Sequence, residues 1–369
     1  MLYWSLKTLI SEPMRFIIST LAVAMSFILV IFFSAVFEGE SEKMIVYLEK
    51  MKADVWVMQK GVSNMHMTSS MLWDWKADKI SQIDIVNNVS AILYLNGPVK
   101  IGGKDWFAYI IGIKPRYQNA GPWEMVQGKA IPKPGEAVIP DVIAKLTGVK
   151  IGDDITMIDR KLRIIGFSKD TFSLASSVVF VSHQDLGDLL EGRDQFSYIM
   201  VYAKPGVSTK DLIDRIKENV DKVNVLSSED FINSDKQLAI QMGAEIIRMM
   251  TIIGTLLATL IVGFTSYSLI TRKKQELAVV KALGFSNGGI YMSASLQSLV
   301  ITGAGLLLTL VLSFSLLSFL PSVAPQINLS VKLYQFIPVV VITLPVSIIS
   351  ALVAARTVAK VDPMMVFKA

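Results

Sequence analysis

Four uncharged apolar runs divide the chain, and a stretch of ordinary polarity separates the first from the second. The first run, Phe16 to Phe37, has 22 residues. At ~1.5 Å per residue it reaches about 33 Å, enough to cross a hydrocarbon core of ~30 Å. A secretory leader would have an apolar region of only about 7–15 residues and a small-x-small end. This run ends instead in bulky Phe32-Phe33 and Val36-Phe37, so it reads as a retained span over 16–37. Ahead of it, residues 1–15 place Leu2, Leu6 and Leu9 at helical spacing beside Tyr3, Trp4 and Lys7. That pattern predicts a helix lying in the membrane interface, broken by Pro13. The second run covers 249–271 and the third 290–320. At 31 residues the third exceeds the membrane, so it must tilt, kink or protrude, with Gly303 and Gly305 as the softening points. The fourth, 335–355, holds Pro338 and Pro345, which neighbouring helices make tolerable in lipid.

The polar stretch, 38–248, carries no run of membrane length and predicts a soluble mixed α/β domain between the first two spans. Its flanks read as helical stalks. Met44, Leu48 and Met51 share one face of the first. The second opens on Ser227-Ser-Glu-Asp, a capping signal, and carries Phe231, Leu238, Met242 and Ile246. Alternating or continuous β-prone segments predict strands at 54–58, 91–95, 106–113, 137–139, 155–158, 162–167, 177–181, 197–203 and 222–226. Helices are predicted at 142–147, 183–190 and 209–220, with His183 a structural residue at the start of one. Gly148, Gly152, Gly166 and Pro132-Lys-Pro-Gly135 mark turns.

Charge sets the topology. Lys7 and Arg15, the cluster Arg272 to Lys281, and Arg356 to Lys368 lie on one side if the chain crosses four times. Basic residues stay inside, so segments 272–289 and 356–369 and both termini are predicted cytoplasmic, with 38–248 and the loop 321–334 outside. The net charge of +5 is modest for this length and its basic residues sit partly at membrane edges, so nucleic acid need not be invoked. There is no cysteine, which removes disulfides and thiolate chemistry. No phosphate-cradling G-x-x-x-x-G-K-[ST] loop, H-E-x-x-H or G-x-S-x-G occurs, so no catalytic residue, resident cofactor or metal site is predicted. None of the four spans holds Asp, Glu, Lys, Arg or His. Such groups mark ion and proton routes in membranes, so the driving energy must come from elsewhere.

Between the second and third spans runs Arg272-Lys-Lys-Gln275-Glu276-Leu277-Ala278-Val-Val-Lys281-Ala282-Leu-Gly284. Leu277, Val280 and Leu283 form an apolar stripe on a short basic helix that Gly284 would stop. It suits docking into a groove on a soluble partner; a solvated connector would look the same. The segment resembles the R-R-x-E-I-A-x-L-K-A-L-G signature of MacB/FtsX-type ABC-transporter permeases. The ending Val361-Asp-Pro-Met-Met-Val-Phe-Lys368 is similar to that family's D-P-x-x-A-L-R tail, with Val366 in place of Ala and Phe367 in place of Leu. Gly135-Glu-Ala-Val-Ile and Leu146-Thr-Gly148-Val-Lys-Ile-Gly-Asp153 resemble the G-E-x-V and L-G-L-K-x-G-D passages of its outer domain, in which a β-rich part, expected near 97–194, is inserted. In size the chain is more similar to DevC and HrtB permeases.

The resemblance implies a homodimer in the bacterial inner membrane with two copies of an ABC ATPase beneath it. ATP and Mg would be held by those subunits. Gln275, Glu276, Leu277, Ala278, Lys281, Ala282 and Gly284 would couple their closure to the outer domain, for export of an apolar or amphipathic cargo such as lipid, glycolipid, haem, drug or peptide. A periplasmic adaptor and outer-membrane duct are further expected partners. The alternative is an FtsX-like signalling subunit that activates an outer protein without transport. Two other groups stand out. Gly254, Ala258 and Gly263 give the second span a small-residue face suited to close packing, including that of a dimer. Met65, His66 and Met67 have soft donors that would suit haem or copper, an adaptable apolar surface, or a packed loop.

Overall fold

The computed structural model describes residue 7, residues 11–174, 177–272, 279 and 286–359. They form two compact units: 1–38 with 244–323 and 329–369, and 39–243 with 324–328.

The second unit is built on one ten-stranded sheet; nine strands run in the order β12-β1-β11-β3-β4-β9-β6-β8-β5, and β7 lies off this path, paired with β3 and β8. The strands are β1 (Val55–Gln59), β3 (Val86–Ile101), β4 (Lys104–Ile113), β5 (Met125–Gly128), β6 (Glu136–Pro140), β7 (Asp154–Met157), β8 (Arg160–Ser168), β9 (Ser177–Ser182), β11 (Tyr198–Ala203) and β12 (Val223–Ser227). A separate short pair joins β2 (Leu72–Trp73) to β10 (Gln195–Phe196). Alternation along β1 shows how the layers are divided. Trp56 and Met58 face a core with Leu48, Tyr198 and Phe231, while Val55 and Val57 face another with Ile80, Leu212 and Ile216. A third core gathers Leu93, Ile110, Ile139, Ile164 and Val179.

The expected inserted part, 97–194, is not set off by a break in the sheet. The hairpin β3–β4 pairs without a register shift from Ile92↔Ile113 to Ile101↔Lys104, so β3 passes residue 97 as one strand. The β-rich part keeps its own core but shares its ladder with the rest. Helices α3 (Trp75–Ser81), α4 (Asp141–Thr147), α5 (His183–Leu189) and α6 (Thr209–Asn219) cover the sheet. Neither α3 nor β5 was predicted, because each is short and lacks a clear period.

Two helices join the units. α1 (Pro13–Met44) continues the first apolar run, and after a turn at Ile45 the chain forms α2 (Val46–Met51). Pro13 begins α1, a position where its missing N–H costs nothing. The other, α7 (Ser228–Arg272), is continuous through the second apolar run. Its start follows the capping signal: Ser227 Oγ accepts from the Asp230 N–H at 3.0 Å. α8 (Asn287–Val323) and α9 (Phe336–Ala359) complete the first unit. Pro321, expected in a loop, lies in the last turn of α8. Among the described residues, Phe16–Met44, Asn287–Val323 and Leu333–Arg356 are long and apolar enough to cross a membrane.

Within the first unit, small residues and hydroxyls hold the helices together, as expected where lipid removes the hydrophobic drive. Ser298 Oγ and Ser347 Oγ are 2.8 Å apart, Thr302 Oγ1 donates to Ser347 Oγ at 3.0 Å, and Thr309 Oγ1 donates to the Ala24 carbonyl at 3.2 Å. A Cβ on Gly305 would come within 2.5 Å of Val23 Cγ1, so α8 crosses α1 there at glycine distance. Gly303 meets nothing within 4 Å. Gly305→Leu should therefore cost about 1–3 kcal/mol through overpacking and lower the unfolding temperature in detergent. Gly303→Ala should leave it unchanged, and Val23→Ala should partly rescue Gly305→Leu. Equal effects at 303 and 305 would contradict this packing.

Candidate functional site

The candidate site is the set of contacts that key the stalk helices to the sheet. On the α7 side, Trp56 Nε1 of β1 donates to Ser228 Oγ at 3.1 Å, and its ring packs on Phe231 with centroids 5.3 Å apart. One helical turn further is Asp235, which is completely buried. Its carboxylate accepts the Met65 N–H at 2.9 Å, the His66 N–H at 3.4 Å and His66 Nδ1 at 2.7 Å. A carboxylate only accepts, so Nδ1 carries the hydrogen. A buried carboxylate is tolerable here because three N–H groups converge on it. Tyr109 stands edge-on to the His66 ring at 4.8 Å, and Tyr94 packs on Tyr109 at 5.5 Å. Burial pushes the Tyr94 and Tyr198 hydroxyls well above the usual tyrosine range, so both remain protonated.

On the α1 side, Glu40 gathers two distant segments. Its Oε2 accepts Ser173 Oγ at 2.8 Å and the Leu174 N–H at 3.0 Å; its Oε1 accepts Asn328 Nδ2 at 2.8 Å. Tyr47 of α2 donates to the Ala120 carbonyl at 2.9 Å, and Tyr202 of β11 donates to the Met51 carbonyl at 2.9 Å. Burial raises both phenols, which keeps them donors.

Met65, His66 and Met67 lie in different surroundings. Met65 is 2 % exposed and belongs to the core, whereas Met67 is 63 % exposed. His66 spends Nδ1 on Asp235, and its Nε2 is buried without a hydrogen-bond partner among the described residues. No group of three or more His, Cys, Asp or Glu that could hold a metal occurs among the described residues. Met65 and His66 are thus held inward by Asp235, and Met67 lies on the surface. His183 is 4 % exposed, Nε2 meets the Gln195 carbonyl at 2.8 Å, and burial lowers its pKa so that it stays neutral.

Gly254 faces Val30, with a built Cβ 2.8 Å from Val30 Cγ2, and Gly263 faces Ser350 Oγ at 3.1 Å. These two glycines pack against helices of their own chain; Ala258 lies between them on α7. Gln275, Glu276, Leu277, Ala278, Lys281, Ala282 and Gly284 lie outside the described residues, as do 360–369 and most of 1–10; Val279 is helical and exposed. The prediction that 1–15 form an interfacial helix therefore falls largely outside them too.

Sequence reasoning missed Asp235 and Glu40. The signal was present: Asp235 sits on the apolar stripe of Phe231, Leu238 and Met242, four and seven residues apart. An acid on a buried stripe must find donors. Asp235→Ala would leave the Met65 and His66 N–H groups unsatisfied, at about 1–3 kcal/mol each. Amide exchange across 62–71 should accelerate by roughly tenfold or more, since ~1.4 kcal/mol is one decade. Unchanged protection there would show that the carboxylate does not hold this loop.

Comparison with known proteins gives the setting for these contacts. The MacB-like periplasmic core domain matches residues 16–219, and the FtsX-like permease C-terminal region matches 248–363. A putative hemin transport system permease protein, HrtB, of Staphylococcus haemolyticus is 24% identical over 339 residues, covering 91% of this chain and 90% of that protein. An uncharacterised ABC transporter permease of Mycobacterium bovis is 23% identical over 241 residues, 65% of this chain. The chain spans 63% of the length of that relative. The periplasmic region of MacB from Actinobacillus actinomycetemcomitans aligns with a TM-score of 0.39 at 15% identity, covering 51% of this chain and 94% of that one. With two domains of the family matched in order, over more than half of its residues, the chain belongs to the MacB/FtsX-type family of ABC-transporter permeases.

Proposed function

We propose that this chain is the membrane subunit of an ABC exporter that converts ATP hydrolysis in a separate subunit into movement of its outer domain. The observation that carries the reading is the pair of stalks. α1 and α7 each continue an apolar run into the mixed α/β unit, where Glu40 and Asp235 fix them to named loops. A displacement of either helix end would be passed to Ser173–Leu174 or to Met65–His66 through short, charge-assisted bonds rather than through a flexible linker. The absence of ionisable residues from the four apolar runs supports an external energy source.

In this account the chain crosses a bacterial inner membrane four times, with 249–271 of α7 as the second span and both termini in the cytoplasm. Two copies pair with two ATPase subunits, which bind ATP and Mg. Gln275 to Gly284 receive the ATPase movement, and the cargo is apolar or amphipathic, taken up outside. An adaptor and an outer-membrane duct are partners that the family resemblance suggests.

Affinity purification from mild detergent should bring down an ATPase in stoichiometric amount, with hydrolysis stimulated by a small apolar or lipidic compound. Stimulation only by an outer protein would replace transport with FtsX-like signalling. Recovery of no nucleotide-binding subunit would end the ABC reading for this chain. Glu276→Lys and Leu277→Asp should each leave the chain in the membrane yet reduce stimulated ATPase activity at least fivefold. Full stimulation in both would exclude the segment from coupling.

A further inference from the structure

The sheet unit carries a cleft that the stalk contacts do not use. It lies where the ends of β4 and β9 meet the turn 131–134, and it encloses about 770 Å³. Ile131, Pro132 and Pro134 form an apolar wall, and Lys114, Lys133 and Arg193 stand around it. No carboxylate is among its lining residues. A second recess of about 430 Å³ shares Arg193 and reaches Gln195. The geometry points to a binding site for a small amphipathic organic anion, its apolar body against the proline wall and its acid group near Lys133 and Arg193.

Four observations support this assignment. The volume lies in the ~300–1,000 Å³ range of small-molecule sites, and an apolar wall with a few polar groups is their usual make-up. Four neighbouring acids are already engaged: Asp74 with Lys114 at 3.3 Å, Asp188 with Arg193 and Arg160, Asp185 with Ser182 Oγ at 2.6 Å, and Glu136 with the Lys133 N–H at 2.9 Å; Glu191 and Asp194 line the adjoining recess rather than the cleft. The ammonium of Lys133 is exposed and forms no ion pair among the described residues, so it is the cation left to meet a ligand. Lastly, Arg193 lines both recesses, which sets a guanidinium where the two adjoin. The turn that carries the wall is anchored. Asp185 Oδ2 accepts the Gly135 N–H at 2.8 Å, which pins the turn to the start of α5, and Gly135 adopts a φ of +82° that a side chain would strain.

The site's role as a cargo station rests on the exporter reading, but occupancy does not. The test therefore uses the full chain in nanodiscs without an ATPase, titrated calorimetrically with 2-naphthoylglycine, which combines an apolar ring, an amide N–H and a carboxylate. Saturable binding of one molecule per chain is expected, with the neutral methyl ester at least tenfold weaker. Lys133→Glu should weaken binding at least fivefold, and Gln184→Trp, which fills the cleft mouth, should abolish it. Lys150→Glu, an exposed charge outside the lining, should leave it unchanged. No saturable binding, equal binding of acid and ester, or indifference to both cleft variants would overturn the assignment. Binding that survives while the chain recruits no ATPase would retain the site and discard only its role in export.

Discussion

A carboxylate with no access to water must be met by donors, and Asp235 shows what that requirement does to a fold. It holds the turn at Met65 and His66 against α7 by three N–H contacts. That turn follows β1, which lies between β11 and β12 in the sheet. The Trp56, Tyr198 and Phe231 rings close around the same region. One helix thus owns a bond to the loop after the strand next to the sheet's edge and an aromatic contact to two strands of the sheet. Glu40 repeats the device on α1, where it joins Ser173, Leu174 and Asn328. Removal of either acid would loosen a helix from the sheet while leaving both as secondary structure.

The bundle follows different rules from the sheet unit. Its apolar residues gain little by leaving lipid, so close approach and hydroxyl pairs decide which faces meet. Gly305 against Val23, Gly254 against Val30 and the Ser298–Ser347–Thr302 group are the contacts of that kind. Broad apolar surfaces, including Phe264 at 73 % exposed, remain on the outside, as lipid-facing helices require.

Much of this architecture was legible in the sequence because its signals are long or strongly periodic. The apolar runs, the Ser227 cap, and strands such as 106–113 and 177–181 fall where periodicity put them. The continuity of β3 past residue 97 was not legible, because strand pairing is a long-range property and Gly97 and Pro98 look locally like a break. The site was legible only in part. Met65 and His66 carry soft donors that the sequence shows, yet the neighbours of His66, Asp235 and Tyr109, lie 169 and 43 positions away. No local pattern announces such a contact, although an acid on an apolar stripe hints at one. The cleft at Ile131 to Pro134 was visible only as a turn signal, since its other walls come from β4 and α5.

The central claim is that ATP-driven motion travels along α1 and α7 into the outer domain. The absence of native cysteine allows a clean test, because Lys150→Cys adds the sole thiol of each copy and lies on the exposed surface of that domain. With the chain and its ATPase reconstituted in nanodiscs and spin-labelled at that position, the distance between labels on two copies can be measured by pulsed electron resonance with and without trapped ATP. The account predicts a shift of several ångströms on trapping, lost in Asp235→Ala. An unchanged distance in a complex that hydrolyses ATP at its full stimulated rate would contradict it.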